Sequence, residues 1–255
     1  MKILGFITVR VNSSRLPRKT LLSIRGKRVI EHVIERAKQI KGLDGVVVCT
    51  SISPEDDVLE QIAEEQGVLC FRGSLEDKLE RYNGAIDRFG AELVFLIDAD
   101  DPFFDPEIYE LAIEQMRAGS ADIIKSSPGL VPGAFAFGLR AAAIKEACAI
   151  KDTTDTEMYE VYFLETGRFV VEDVKVEDPI YFNDQARLTI DYQEDFDFFK
   201  RVFDGLEMDT NTVPLKKIME LLTAKPEITS INIHRHADYL AKREKMRQTK
   251  KLKSI

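Results

Sequence analysis

Short apolar runs alternate with amphipathic segments along the first half of the chain. The runs at 3–8, 45–50 and 93–97 are almost continuously apolar, which is typical of strands buried on both faces. A shorter strand is expected at 68–71. Helical spacing of apolar positions predicts helices at 28–39, 54–66, 76–88 and 106–118. This alternation predicts an α/β fold with a mostly parallel sheet covered by helices on both faces.

The pattern is less regular in the second half. We expect strands at 121–126, 134–139, 169–173 and 187–190. Helices are expected at 141–149 and 156–165, and three more begin near Gln193, Val213 and Asn232. The segment from Gly129 to Gly133 has the composition of a mobile turn.

Composition restricts the class of protein. The chain has 255 residues, 44% of them hydrophobic, and a net charge of −8, so we expect no binding to nucleic acid by overall charge. It contains no apolar run long enough to predict a membrane span. The three cysteines have no metal-site spacing and, with no signal-peptide pattern, fit a cytoplasmic protein. The basic residues of the last helix are interpreted as a solvated face, and His234 and His236 as surface residues.

The loop after the first strand is unusually basic. Arg10, Arg15, Arg18 and Lys19 occur within a dozen residues, interspersed with Ser13 and Ser14, directly after Thr8. In an open parallel sheet the carboxyl ends of the strands are where ligands bind. Such a loop offers cations, hydroxyls and backbone N–H groups to a polyanion. The alternative is a solvated basic loop, which explains poorly why so many like charges lie together.

Acidic residues follow two other predicted strands. Asp98, Asp100 and Asp101 come directly after the strand at 93–97, and Asp191 follows the apolar run at 187–190. Mg²⁺ takes one or two carboxylates plus substrate phosphates, so Asp100 and Asp191 together predict a magnesium site facing the basic loop. The alternatives are an acidic turn for the first group and a helix cap for Asp191; Asp105 is interpreted as a cap.

A further polar group follows the strand at 68–71. Arg72 and Ser74 lie at this strand end and could contact a base or ribose, whereas Asp77 is interpreted as a helix N-terminus. The G-x-S-x-G, G-x-x-x-x-G-K-[ST] and G-x-G-x-x-G patterns do not occur.

Several motifs together resemble the sugar-acid cytidylyltransferases. These are Arg10-x-x-Ser13-x-Arg15-Leu16-Pro17-x-Lys19-x-Leu21, Glu31-His-Val-Ile-Glu-Arg36, Arg72-Gly-Ser-x-x-Asp77-x-Leu-x-Arg81-Tyr82, Asp100-x-Pro102-x-x-Asp105-Pro106 and Arg187-Leu-Thr-x-Asp191-x-x-Glu194-Asp195. They occur in collinear order to about Phe199. The family includes the 3-deoxy-manno-octulosonate and N-acylneuraminate cytidylyltransferases, and the similarity is strongest to its spore coat polysaccharide biosynthesis protein F subgroup.

The resemblance implies a Rossmann-like, glycosyltransferase-A-like nucleotidyltransferase fold in three layers, usually dimeric. It implies transfer of CMP from CTP to a sugar acid with Mg²⁺ and release of pyrophosphate, for surface polysaccharide biosynthesis. By position, Arg10, Arg15 and Lys19 match triphosphate-contacting, catalytic residues, and Asp100 and Asp191 match the metal ligands. The expected nucleotide-binding set is Thr8, Arg10, Ser13, Ser14, Arg15, Lys19, Arg72, Ser74 and Asp100. We expect one domain at 1–231, with a nucleotide-binding half (1–126) and an acceptor and dimerisation half (127–231), followed by a C-terminal helix and basic tail (232–255).

The departures from the family pattern concern one loop position and the acceptor half. Arg18 replaces a usual glycine, Gly129-Leu-Val-Pro-Gly-Ala-Phe135 replaces an acidic stretch, and Thr156-Glu157-Met158 replaces an Arg-Glu-His triplet. Glu157 and Arg187 are the candidate acceptor contacts. We therefore expect an acceptor other than the common sugar acids. Two alternatives are a nucleotidyltransferase that uses another NTP or a phosphorylated acceptor, and a noncatalytic nucleotide-binding protein.

Overall fold

A computed structural model describes residues 1–248, and its centre is a seven-stranded sheet. The strands are β1 (Ile3–Thr8), β4 (Gly45–Ser51), β5 (Leu69–Gly73), β6 (Leu93–Asp98), β7 (Ile123–Lys125), β8 (Phe137–Arg140) and β9 (Val171–Asp173). Their order across the sheet is β5-β4-β1-β6-β8-β7-β9. Strands β5, β4, β1 and β6 are parallel to one another, β8 is antiparallel to its neighbours β6 and β7, and β7 is parallel to β9. A small hairpin of β2 (Ser23–Ile24) and β3 (Lys27–Arg28) lies apart from this sheet.

Helices cover both faces of the sheet. They are α1 (Val29–Ala37), α2 (Asp57–Glu65), α3 (Lys78–Phe89), α4 (Pro106–Ala118), α5 (Ala141–Ile150), α6 (Glu160–Leu164), α7 (Gln193–Gly205), α8 (Leu215–Ala224), α9 (Pro226–Thr229) and α10 (Arg235–Gln248). The buried side chains form two hydrophobic clusters: one contains α1, α2, α4 and α7, and the other contains α3, α5 and α6. The predicted three-layer α/β fold with a mostly parallel sheet is therefore confirmed. Within residues 1–248, no helix combines the length and the apolar composition needed to cross a membrane.

The predicted strand at 187–190 is wrong. This segment does not join the sheet. Its backbone N–H groups instead donate to loop carbonyls, from Leu188 to Pro132 O (2.9 Å) and from Ile190 to Asp100 O (2.7 Å). Leu188 and Ile190 are fully buried, so the apolar pattern reports core packing and not sheet pairing.

The 129–133 segment, expected as a mobile turn, is packed. Leu130 and Val131 are buried, and the Val131 N–H donates to Tyr181 O (2.8 Å). Gly133 has a φ of +92°, and a Cβ atom there would lie 2.4 Å from Leu188 O. Glycine is required at this position because the backbone approaches the 187–190 segment so closely. The predicted helix at 156–165 is also shorter than expected, because only α6 is helical.

Candidate active site

A large cleft opens at the carboxyl ends of the parallel strands. Its volume is about 1030 Å³. Thr8 of β1 lies in register with Asp98 of β6, so the basic loop after β1 and the acidic loop after β6 meet at one edge of the sheet. The cleft is lined by both loops, by the loop after β7, by the 155–160 segment and by one face of α10.

The basic loop is anchored at both ends. Its start is anchored because the Val11 N–H donates to the buried Asp56 Oδ1 (2.8 Å). At its end, Lys19 to Leu21 form one turn of 3-10 helix. Just before this turn, Arg18 adopts the left-handed conformation, with φ of 54° and ψ of 29°. Of the predicted loop residues, Thr8, Arg10, Ser13, Ser14, Arg15 and Lys19 all line the cleft.

Lys19 connects the two predicted metal aspartates. Its Nζ donates to Asp100 Oδ2 (2.5 Å), Asp191 Oδ1 (2.9 Å) and Ile190 O (2.6 Å). Burial by itself would lower the pKa of Lys19. The charges of Asp100 and Asp191 and their hydrogen bonds to the ammonium group have a larger, opposite effect, so the pKa is raised. Arg15 also donates to Asp191 Oδ1, and its guanidinium lies 5.7 Å from the centre of the Tyr192 ring.

A buried network supports Asp191 from behind. Arg187, which has no exposed surface, donates from Nη2 to Asp191 Oδ2 (2.6 Å) and from Nε to Asp195 Oδ1 (3.2 Å). Asp195 Oδ2 accepts from the N–H groups of Asp191 (2.8 Å) and Tyr192 (2.9 Å). Asn232 donates to Asp195 Oδ1 (2.9 Å) and to Arg187 O (3.0 Å). Arg187, predicted to contact the acceptor, therefore does not line the cleft; it positions Asp191.

The carboxylates of the acidic loop crowd one another. Burial, together with the charge of Asp100, raises the pKa of Asp98 to about 6 and raises that of Asp101 well above its usual range. A cation between these groups would relieve their repulsion.

The donor set fits a hard divalent cation. Asp100 and Asp191 converge on one ammonium nitrogen, which shows that the two carboxylates can share a positive charge. No group of three or more His, Cys, Asp or Glu side chains in residues 1–248 is arranged as a metal site. Two carboxylates are still enough for Mg²⁺, because substrate phosphates and water supply its other ligands.

Glu157 lies between two cations on the opposite wall of the cleft. It accepts from Arg10 Nη2 (3.0 Å) and Lys78 Nζ (3.0 Å). Burial would raise the pKa of Glu157, but Lys78 and Arg10 hold it below its usual value. Arg10 also donates to Leu75 O (2.8 Å).

The structure does not bring Arg72 and Ser74 to the cleft. Arg72 donates to the carboxylates of Asp57 (2.5 Å) and Glu60 (2.9 Å), and to Ser51 O (3.0 Å) and Ser53 O (2.9 Å). Ser74 Oγ accepts from the Asp77 N–H (3.1 Å) at the start of α3. Arg72 thus connects β5 to α2 and to the end of β4, and Ser74 supports the start of α3.

The sequence analysis missed the contribution of α10. His236, Tyr239, Lys242 and Arg243 line the cleft, although the basic residues had been interpreted as a solvated face and His236 as a surface residue. The Tyr239 ring lies 4.7 Å from the Arg187 guanidinium. One sequence signal could have indicated this role: Tyr239 and Lys242 are three residues apart, which places both on one face of the helix.

These features define an α/β protein in which a basic loop, residues 8–19, faces paired aspartates across a cleft at one edge of the sheet; we call this segment the phosphate loop. The chain belongs to the cytidylyltransferase family, because the model of that family matches residues 4–221. It is therefore a nucleotidyltransferase of that family, as the sequence motifs predicted.

Individual relatives support this assignment. The chain is 27% identical to the spore coat polysaccharide biosynthesis protein SpsF of Bacillus subtilis, over 88% of this chain and 95% of that protein. It is 30% identical to the 3-deoxy-manno-octulosonate cytidylyltransferase of Escherichia coli, over 62% of this chain and 60% of that enzyme. A solved cytidylyltransferase from Leptospira borgpetersenii has a TM-score of 0.81 and 23% identity, covering 90% of this chain and 97% of its own; it shows the shared fold.

Proposed function

We propose that this protein transfers CMP from CTP to a hydroxyl group of a sugar acid and releases pyrophosphate, as a step in polysaccharide biosynthesis. The observation that carries the proposal is the convergence of Lys19, Asp100 and Asp191 within hydrogen-bonding distance at the mouth of the phosphate loop. Similarity to proteins named for spore coat polysaccharide biosynthesis and for 3-deoxy-manno-octulosonate cytidylyl transfer supports a sugar-acid acceptor.

In the proposed reaction the acceptor oxygen attacks the α-phosphorus of CTP in line. The bond from that phosphorus to the bridging oxygen breaks, and pyrophosphate leaves with the electron pair. Arg10, Arg15 and Lys19 neutralise the charge that builds up on the phosphates; arginine suits this role because its planar group binds phosphate through two donors. Catalysis is then mainly positioning and electrostatic stabilisation.

Asp100 and Asp191 would hold Mg²⁺, which when bound would neutralise phosphate charge and polarise the acceptor hydroxyl. With nucleotide and metal bound, Asp191 would serve as a metal ligand, and its Oδ2 accepts from the buried Arg187 (2.6 Å). We therefore assign the hydroxyl proton to water and not to this carboxylate. Lys19 would exchange its aspartate partners for phosphate oxygens when nucleotide and metal bind.

The acceptor would lie against the second half of the chain. The cleft wall there is largely apolar, with Pro132, Phe135 and Met158 among its residues, and Glu157 contributes its paired carboxylate. Thr156, where an arginine is usual, is buried and donates to Asp77 Oδ1 (2.9 Å). The wall therefore has less positive charge than the family pattern implies, which supports an acceptor other than the common sugar acids.

The test is a pyrophosphate-release assay with each of four NTPs against a panel of sugar acids and sugar phosphates, with Mg²⁺ and with chelator. We expect release only with CTP, a sugar acid and the metal. Release with a different NTP or with a phosphorylated sugar would favour the corresponding alternative. Nucleotide binding without release for every acceptor would favour a noncatalytic protein.

We also propose a homodimer in the cytoplasm; light scattering of the purified protein tests the dimer.

A further inference from the structure

Helix α10 crosses the mouth of the cleft and is attached on both sides. Near its start, Arg235 pairs with Glu194 of α7 (2.7 Å). Further along, Arg243 pairs with Glu160 of α6 (2.5 Å) and Arg247 with Glu165 (2.8 Å). The helix therefore spans from the Asp191 side of the cleft to the Glu157 side, and the face between these pairs looks into the cleft.

Several cations around the mouth of the cleft are paired with carboxylates. Arg15, Lys19 and Arg187 each have a carboxylate partner among Asp100, Asp191 and Asp195. Lys242 of α10 differs from them. Its Nζ donates to Ser14 Oγ (3.3 Å), and within residues 1–248 it forms no ion pair with a carboxylate.

The surroundings of Lys242 are unfavourable for a cation by itself. Partial burial and the nearby charges of Arg15 and Lys19 lower the pKa of Lys242, and they outweigh the opposite effect of the Asp191 and Glu157 carboxylates. A lysine that contacts only a hydroxyl beside two other cations is stabilised best by an anion that all of them share. The contact with Ser14 places this anion at the phosphate loop and not at the acceptor wall.

We propose that Lys242 is a phosphate-binding residue of the active site and contacts the β- and γ-phosphates of the nucleotide, or the pyrophosphate that leaves. This inference rests on the proposed function, since it assumes that the loop binds a triphosphate. It makes α10 part of the nucleotide site, whereas residues 8–19 supply the contacts from the opposite side. A single lysine acts on such phosphates as a point charge with several possible partners.

The test compares Lys242→Met with Lys245→Met. Lys245 lies on the same helix, is exposed and does not line the cleft, so its variant controls for a changed helix charge. Binding of CTP, CMP and inorganic pyrophosphate is measured by isothermal titration. For Lys242→Met we expect affinity for CTP and pyrophosphate to fall about 10-fold or more, as when one charge-assisted hydrogen bond is lost, with CMP almost unaffected. Lys242→Arg should retain most of the affinity, and Lys245→Met should bind like the wild type.

Equal affinity of the wild type and Lys242→Met for CTP and pyrophosphate would overturn the inference and leave the proposed function standing. An equal loss for CTP and CMP, or a defect confined to the acceptor KM, would also overturn it, because Lys242 would then contact another part of the substrates. If the wild type bound pyrophosphate but not CTP, the proposed function would fail, and the pyrophosphate titration would still decide the role of Lys242. If the wild type bound neither, both would fail. Thermal unfolding of the variants shows whether any loss is one of folding.

Discussion

Arg187 and Asp191 form an ion pair of 2.6 Å in which neither side chain is more than 1% exposed. They lie four residues apart in the sequence, before α7 begins at Gln193. Asp191 is thus the counter-ion of a buried arginine as well as a cleft residue. Asp100 pairs instead with Lys19, and its side chain is 28% exposed.

Because of this difference, we expect the two aspartate variants to differ in stability but not in their loss of turnover. Asp191→Asn removes one partner of a buried pair, which destabilises a protein by about 3–5 kcal/mol. Asp100→Asn should change the free energy of unfolding by less than about 1 kcal/mol, as for a partly exposed pair. Both should reduce turnover about 100-fold or more, the effect of removing a preorganised electrostatic contact. Urea unfolding and pyrophosphate release measure the two effects, and wild-type turnover in both variants would contradict the metal site.

The loop cations should act on the distal phosphates. Lys19→Ala and Arg15→Ala should weaken CTP binding about 10-fold or more, since each removes a charge-assisted hydrogen bond to phosphate. The loss should be smaller for CMP. Arg25→Ala is the matched control, because Arg25 lies in the same segment but pairs with Asp204 outside the cleft. Equal losses for CTP and CMP in titrations would assign these residues to the nucleoside or the α-phosphate.

Arg18 should be a strained position. It adopts a left-handed conformation, which is unfavourable by roughly 1–2 kcal/mol for residues with a Cβ atom. Arg18→Gly should therefore be more stable than Arg18→Ala by about 1 kcal/mol. Alanine removes the charge and keeps the strain, so the comparison isolates the backbone effect. Thermal unfolding of the two variants decides the matter, and equal midpoints would show that the loop relaxes.

The acceptor wall should disfavour the common sugar acids. We expect weak or no release of pyrophosphate with 3-deoxy-manno-octulosonate or N-acetylneuraminate, because a carboxylate left without its cationic partner opposes binding. CTP binding should remain in the micromolar-to-millimolar range usual for enzymes. The assay is pyrophosphate release at saturating CTP. Efficient turnover of either acid would mean that other residues, such as Lys78 or Lys125, supply the carboxylate contact.

The pattern of apolar residues was sufficient to predict those strands that are buried on both faces. The bounds of β1, β4 and β6 agree with the apolar runs to within one residue at each end, and their shared direction brings Thr8 and Asp98 to one edge. Pattern failed at 187–190, because burial in the core and pairing in a sheet leave the same apolar signature. Pattern could not place Arg72, because a strand-end arginine can turn towards the carboxylates of α2, as it does in this structure, as well as towards a ligand. The sequence pattern also failed for α10, because a basic helix face has the same composition whether it is exposed to solvent or lines a cleft.

The pairing at the cleft mouth has a kinetic consequence. Arg15 and Lys19 already donate to aspartates, so an incoming phosphate competes with these carboxylates for the same cations. When the nucleotide binds, its phosphates replace the aspartates as partners of the two cations. A divalent cation would then bind the aspartates and end this competition. Metal and triphosphate should consequently bind as a pair, each slowly and weakly without the other. The rate of entry should depend more on the metal concentration than on ionic strength.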